Sequence, residues 1–111
     1  MGRRRYIREI NSKSGLERSN AERIAVNTPI QGSAADMIKV AMVSIHRELK
    51  NQKLDTRMIL QVHDELVFDA PKNEVETVKP IISELMRTAL PKLKVPILVE
   101  IGTGNNWLEA H

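Results

Sequence analysis

Two short apolar segments separated by three polar residues constrain the fold of this chain more than any other feature. Residues 58–62 and 66–68 are apolar and partly β-branched, which is typical of β-strands. His63, Asp64 and Glu65 separate them, and this gap is too short for anything but a tight hairpin. Asn-Gly or Asp-Gly would form such a turn more easily, so adjacent carboxylates here suggest a chemical use. A charged, solvated turn is an equally good interpretation of the triplet alone.

The region before the hairpin is predicted to be helical. Ser19 or Asn20 is a candidate cap for a short helix near residues 19–27. We expect that helix to break or kink before Pro29, because the residue preceding a proline avoids helical geometry. Apolar residues at three- and four-residue steps then predict a longer helix over about residues 30–49.

The region after the hairpin is predicted to add a helix and a strand. Apolar residues on one face predict a helix near residues 74–89, which Pro91 should end. Alternating β-branched residues over 95–101 predict a third strand. The order of elements predicts an α+β fold, in which a small antiparallel sheet, made of the hairpin and the C-terminal strand, is packed by helices. We expect both faces of the sheet to be partly covered.

Length and composition limit the class of protein. The 111 residues suffice for one small or partial domain over 1–111, and 41% apolar content is typical of a folded protein. Cysteine is absent, which excludes disulfides and thiolate metal sites and weakly favours an intracellular protein. No apolar run approaches the ~20 residues of a membrane span, so no membrane partner is expected.

Charge is distributed unevenly along the chain. The net charge is +3, but residues 1–50 carry 10 Lys/Arg against 5 Asp/Glu, whereas residues 51–111 carry 7 against 9. A basic half suggests a polyanion bound to one side of the molecule. On charge alone, an ordinary solvated surface is the better interpretation.

Three polar residues form a candidate row for nucleic-acid binding. Arg23, Asn27 and Gln31 are spaced by four, so a continuous helix would place them on one face. Their donors suit the acceptor atoms that every base pair presents in the minor groove, and such a row could hold paired DNA without selecting a sequence. Taken alone, three polar residues on a solvated helix face are the better interpretation.

The remaining candidates are weaker. The run Arg3-Arg4-Arg5 suits phosphate contacts, although a solvated basic tail is as good an interpretation. His46 and His111 are expected to be ordinary surface residues. The sequence contains no glycine-rich phosphate loop, nucleophile elbow or H-E-x-x-H zinc pattern.

Four segments together resemble the family A DNA polymerases in the order of that family. They are Gly-Arg-Arg-Arg-Tyr at 2–6, Ala-Glu-Arg-Ile-Ala-Val-Asn-Thr-Pro-Ile-Gln-Gly-Ser-Ala-Ala-Asp at 21–36, Gln-Val-His-Asp-Glu-Leu at 61–66, and the stretch 95–107 that ends in Gly-Asn-Asn-Trp. The third segment resembles the family's motif C. The resemblance covers essentially the whole chain, and the combination is far more specific than any one segment.

The resemblance implies the C-terminal part of a polymerase palm and assigns roles to the candidate residues. Asp64 would be the motif C carboxylate that binds catalytic Mg²⁺, with Glu65 in support, and His63 would approach the primer end. The row Arg23, Asn27 and Gln31 would contact the duplex. The implied reaction joins a deoxynucleotide to a primer 3′ end on a DNA template, with two metal ions about 3.5–4 Å apart.

The chain also departs from the family pattern. It has no stretch resembling Asp-Tyr-Ser-Gln-Ile-Glu, which carries the second metal-binding aspartate, and no fingers helix. We therefore expect a fragment that binds Mg²⁺ weakly and is inactive alone. The parent protein is expected to bind primer–template DNA and deoxynucleoside triphosphates. It is expected to act in replication and repair in the bacterial cytoplasm, at the nucleoid. We expect the isolated chain to be able to self-associate through uncovered sheet edges or apolar faces.

Two other functions stay open. A stand-alone nucleic-acid-binding module would use Arg3–Arg5 and the Arg23 row without catalysis. A metal-dependent phosphohydrolase would be built around His63 and Asp64 but needs further ligands, and it ranks last.

Overall fold

The computed structural model describes residues 1–111 and combines helices with one antiparallel sheet. Its elements are α1 (Gly15–Asn51), β1 (Arg57–Val62), β2 (Glu65–Asp69), α2 (Val75–Arg87) and α3 (Trp107–Ala110), with a 3₁₀ turn at Arg8–Asn11. The predicted α+β class is confirmed. The chain forms two compact units, residues 1–36 and 37–111, and α1 contributes residues to both. None of the helices combines the length and the apolar character that a membrane-spanning helix requires.

Helix α1 begins earlier than predicted. Ser14, not Ser19 or Asn20, precedes its first residue, and the Ser14 hydroxyl accepts a hydrogen bond from the Glu17 backbone N–H at 3.5 Å. Glu17 in turn accepts from the Ser12 hydroxyl at 2.6 Å. The sequence Ser14-Gly15-Leu16-Glu17 has the Ser-x-x-Glu spacing of a capping box, which was the signal for this start.

Of the predicted break or kink at Pro29, the break is wrong, because α1 runs through Pro29 as one helix of 37 residues, and the kink stays a prediction. Proline removes one N–H, and therefore one hydrogen bond to the carbonyl of Ala25. The residues on either side of Pro29 are not buried, so water can satisfy that carbonyl. The Thr28 hydroxyl also donates to the Ile24 carbonyl at 2.6 Å, which occupies a neighbouring acceptor.

The predicted hairpin is confirmed, with a two-residue loop. His63 and Asp64 form the loop, and Glu65 is already the first residue of β2, opposite Val62. The pairing is irregular between Met58 and Leu60, where Ile59 is an extra residue that has no partner in β2.

The predicted third strand is wrong. Residues 95–101 pair with neither strand, and the sheet contains β1 and β2 alone. Alternating β-branched residues favour an extended backbone, but a strand also needs a neighbour for its hydrogen bonds, and none lies alongside. On the outer face of the hairpin Val62 and Val67 are half-buried, whereas Leu60 is 44% exposed, so this face is partly covered, as expected.

The core of residues 37–111 lies between α1, α2 and one face of the hairpin. Its buried members recur every four residues along the two helices and are Ala41, Ile45, Leu49, Val78 and Ile82. Partly buried side chains of the hairpin, Met58, Leu66 and Phe68, pack against them. Leu66 and Phe68 are two apart in β2, so they share the inner face. This packing fixes the hairpin and therefore the position of its tip.

Candidate functional site

The candidate site residues of the second unit, His63, Asp64 and Glu65, lie at the tip of the hairpin. His63 and Asp64 are exposed, and Glu65 is half-buried. His63 has a φ of 52°, a left-handed conformation that a non-glycine residue adopts at a cost in free energy. Its carbonyl oxygen accepts a hydrogen bond from the Gln61 side-chain amide at 2.7 Å, which holds the turn in this shape. The loop thus displays its side chains on a short, constrained link between two strands.

The register places Glu65 on the outer face of the hairpin. Residues directly opposite each other share a face, and successive residues alternate. Glu65 lies opposite Val62, and Val67 opposite Leu60, whereas Leu66 and Phe68 point toward the core. The Glu65 carboxylate is therefore free of the core packing and available beside Asp64.

These two carboxylates fit part of a magnesium shell. Mg²⁺ prefers oxygen ligands, keeps several waters and is commonly bound through one or two carboxylates. The structure contains no group of three or more His, Cys, Asp or Glu side chains arranged to hold a metal ion. Asp64 and Glu65 can thus supply two ligands, and water or other protein segments must supply the remainder.

The row Arg23, Asn27 and Gln31 lies along α1 in the first unit. Because α1 continues through Pro29, the three residues follow one stripe of an unbroken helix, offset by about 40° at each step. All three are exposed. A shallow groove of about 270 Å³ runs beside Arg23 and Asn27 and is also lined by Ser19, Glu22 and Val26.

The basic N-terminal arm, residues 1–7, contacts the same unit. The Arg3 guanidinium forms an ion pair with Asp36, whose carboxylate is buried. Arg5 donates to the Thr28 hydroxyl at 3.4 Å, while Arg4 is exposed. Thr28 is one residue from Asn27 and three from Gln31, so the arm runs beside the row. A buried aspartate needs a partner, and the apolar residues around Asp36 indicate its burial without indicating which residue pairs with it.

His111 is a neighbour of the hairpin that the sequence did not indicate. Its Nδ1 lies 3.4 Å from Oε1 of Glu65, and both side chains are partly exposed. The two residues are 46 positions apart, and no local pattern connects them.

Known proteins are similar to this chain over nearly its whole length. A family model described as DNA polymerase family A matches residues 1–109. The chain is 50% identical over 109 residues to a DNA polymerase I of Borreliella burgdorferi, which covers 98% of this chain. It is 51% identical over 110 residues to a DNA polymerase I of Bacillus subtilis, which covers 99% of this chain. In both cases the match spans 12% of the relative.

A solved structure is similar over nearly the whole chain. It is the polymerase domain of Pol1 from M. smegmatis in complex with DNA primer–template and dNTP. The TM-score is 0.93 at 46% identity, and the match covers 98% of this chain and 19% of that one. The backbone described above is therefore a backbone found within a polymerase domain.

Proposed function

Since this chain belongs to DNA polymerase family A, we propose that it forms the C-terminal part of the palm of a DNA-directed DNA polymerase. The parent adds deoxynucleotides to a primer 3′ end during replication and repair in the bacterial cytoplasm, at the nucleoid. The observation that carries this proposal is the pair of adjacent carboxylates, Asp64 and Glu65, on a hairpin fixed by the core. The chain spans about an eighth of its curated relatives, so the activity belongs to the longer protein.

Asp64 and Glu65 are the residues that would hold Mg²⁺. When bound, the metal would activate the attacking oxygen and stabilise the leaving one during phosphoryl transfer. The hairpin keeps both carboxylates on a backbone that is anchored through Leu66 and Phe68, which limits the reorganisation needed on metal binding. His63, exposed in the same loop, is proposed to approach the primer end. Two carboxylates form an incomplete site, so the isolated chain is expected to bind Mg²⁺ weakly and to incorporate no nucleotide.

The first unit is proposed to bind primer–template DNA. Arg23, Asn27 and Gln31 offer donors along one helix stripe, which suits minor-groove acceptors present at every base pair. Arg3 and Arg4 are proposed to contact phosphates. Arg4 is the less restrained of the two because Arg3 is already paired with Asp36. We also propose that the isolated chain self-associates through the apolar side chains it leaves exposed on the sheet and the 95–101 segment.

Binding of the 111-residue chain to a fluorescent primer–template duplex, followed by anisotropy across a salt series, tests this function. Arg23→Ala and Gln31→Ala should each weaken binding by about 1–3 kcal/mol, because each removes donors to base edges. Arg4→Ala should instead lower the salt slope by about 0.9, the value for one lost phosphate contact on duplex DNA.

Arg87→Ala is the matched control, because this exposed arginine lies in α2 and is paired with Glu84. It should leave affinity nearly unchanged. Binding that is insensitive to salt, or that responds to Arg23→Ala and Gln31→Ala no more than to the control, would remove the row from the DNA-binding surface.

A further inference from the structure

The last ten residues, 102–111, form a turn that is built largely from its own polar groups, and we call it the C-terminal turn. Helix α3 provides a single helical turn, and the Asn106 side chain caps it by accepting from the Glu109 backbone N–H at 2.9 Å. The Glu109 carboxylate accepts from the Asn105 backbone N–H at 2.9 Å. Leu108 is 87% exposed, so hydrogen bonds rather than apolar burial shape this segment.

Two glycines allow the C-terminal turn to fold back on itself. A Cβ at Gly104 would lie 2.5 Å from Cβ of Glu109 and 2.7 Å from the backbone nitrogen of Ala110. A Cβ at Gly102 would overlap the carbonyl oxygen of Ala110. Only glycine permits these approaches, so both positions fix where the residue after Ala110 emerges.

The residue that emerges is His111, and it meets the outer face of the hairpin. Its Nδ1 lies 3.4 Å from Oε1 of Glu65, and its backbone N–H donates to the Trp107 carbonyl at 3.0 Å. The backbone of His111 is thus anchored on α3, and its Nδ1 faces the carboxylate. Glu65 is on the face that the core does not cover, so its side chain needs another contact to become ordered.

We infer that His111 is a positioning residue that orders the Glu65 carboxylate beside Asp64. A glutamate has three rotatable side-chain bonds, and an unrestrained one would lose that freedom only when a ligand binds. The contact between Nδ1 and Oε1 restricts the orientations that the Glu65 carboxylate can adopt. Neighbours of this kind orient metal-binding carboxylates and strengthen metal binding. The metal part of this inference rests on the function proposed above.

The test uses the 111-residue chain and two readouts. Three-bond couplings measured by NMR without metal report the rotamers of Glu65. Broadening of the Asp64 and Glu65 amide signals by Mn²⁺ then gives the affinity of the site. In His111→Ala the Glu65 side chain should sample several rotamers, and Mn²⁺ binding should weaken by about three- to tenfold. This loss is smaller than at enclosed metal sites because the side chains of His111 and Glu65 are both partly exposed. His111→Gln, which keeps a donor, should recover part of both effects.

Two further variants separate positioning from a general loss of structure. Gly104→Ala keeps histidine at position 111 but should displace the C-terminal turn. The Glu65 side chain should then sample several rotamers. His46→Ala removes an exposed histidine from α1 and should change neither readout.

Unchanged Glu65 rotamers in both His111→Ala and Gly104→Ala would overturn the inference, whatever the Mn²⁺ data show. The Glu65 rotamers could change in both variants while the chain shows no Mn²⁺ broadening, and that result would support the positioning role. The same result would remove the metal assignment of the proposed function.

Discussion

Lys53 ends helix α1 in a conformation that normally requires glycine. Its φ is 53°, its N–H donates to the Lys50 carbonyl at 3.1 Å, and the Leu54 N–H donates to the Leu49 carbonyl at 3.0 Å. These are the two hydrogen bonds of a Schellman motif, with Lys53 at the left-handed position. Leu54 also packs against the cluster that contains Leu49, the apolar contact that accompanies the motif.

Lys53→Gly should therefore stabilise the protein. A non-glycine residue in the left-handed region is strained, and its removal should raise the free energy of unfolding by about 0.5–1 kcal/mol. Lys50→Gly is the matched control, because it places glycine inside the last turn and should lower stability by about 1 kcal/mol. Urea denaturation of the three proteins measures both values. Equal destabilisation by the two glycines would contradict the account of this helix end.

Glu74 connects the start of α2 to the residues just before β1. Its carboxylate accepts from the backbone N–H groups of Asp55 and Thr56, each at 2.9 Å, and from the Thr56 hydroxyl at 2.5 Å. The Thr56 side chain, followed by the Asp55 backbone N–H, lowers the pKa of Glu74 below its ordinary value of 4.5. The folded state thus favours the ionised carboxylate.

Glu74→Gln should lower the melting temperature at neutral pH, because the amide offers one acceptor where the carboxylate offers two. A lowered folded-state pKa contributes stability above pH 4.5 and loses it as pH falls through the lowered value. The difference between the two proteins should therefore shrink below pH 4.5. Thermal melts from pH 3 to 7 check this, with Glu100→Gln as an exposed control. A difference that is constant with pH would show that the ionised form is not what stabilises this connection.

Among the secondary-structure elements, the hairpin exposes apolar side chains on its outer side. Ile59 is 61% exposed and Leu60 is 44% exposed, and both sheet edges lack a further strand. Apolar side chains beside unpaired strand edges favour association between chains.

We therefore expect concentration-dependent dimers of the isolated chain in sedimentation equilibrium. Ile59→Thr keeps a β-branched residue but removes apolar surface, and it should raise the dimer dissociation constant by about tenfold. Leu16→Ala removes a 75% exposed leucine from the first unit and should have little effect. A wild-type chain that stays monomeric at high concentration would contradict this expectation.

Elements that are determined by neighbouring residues could be predicted from the sequence, and elements that depend on distant parts of the chain could not. The hairpin followed from three residues between two apolar segments, because a gap that short allows few connections. The break at Pro29 was wrong because one missing N–H in an exposed stretch does not end a helix whose flanking turns continue. The strand over 95–101 was wrong because alternation describes one segment and does not supply its neighbour.

The same distinction applies to the candidate site. The positions of Asp64 and Glu65 at the hairpin tip, and the stripe of Arg23, Asn27 and Gln31, follow from spacing along single elements. The pairs Arg3–Asp36 and Glu65–His111 join residues 33 and 46 positions apart. Long-range pairs of this kind are set by tertiary packing, so a single sequence does not indicate them. The roles assigned to the candidate residues stay predictions.

For the whole molecule, we propose that this chain is a working part of a family A polymerase in which Asp64 is essential. A chimera tests this proposal: the chain replaces the matching segment of the Bacillus subtilis DNA polymerase I, which is 51% identical over 110 residues. Primer extension with Mg²⁺ is then measured for the chimera and for its Asp64→Asn variant, with primer–template binding as the control for folding.

We expect an active chimera. Asp64→Asn should lower its rate roughly 1000-fold, about 4 kcal/mol of lost transition-state stabilisation, while DNA binding persists. A chimera that binds primer–template normally but extends no primer, or that extends it equally well with Asn at position 64, would contradict the claim.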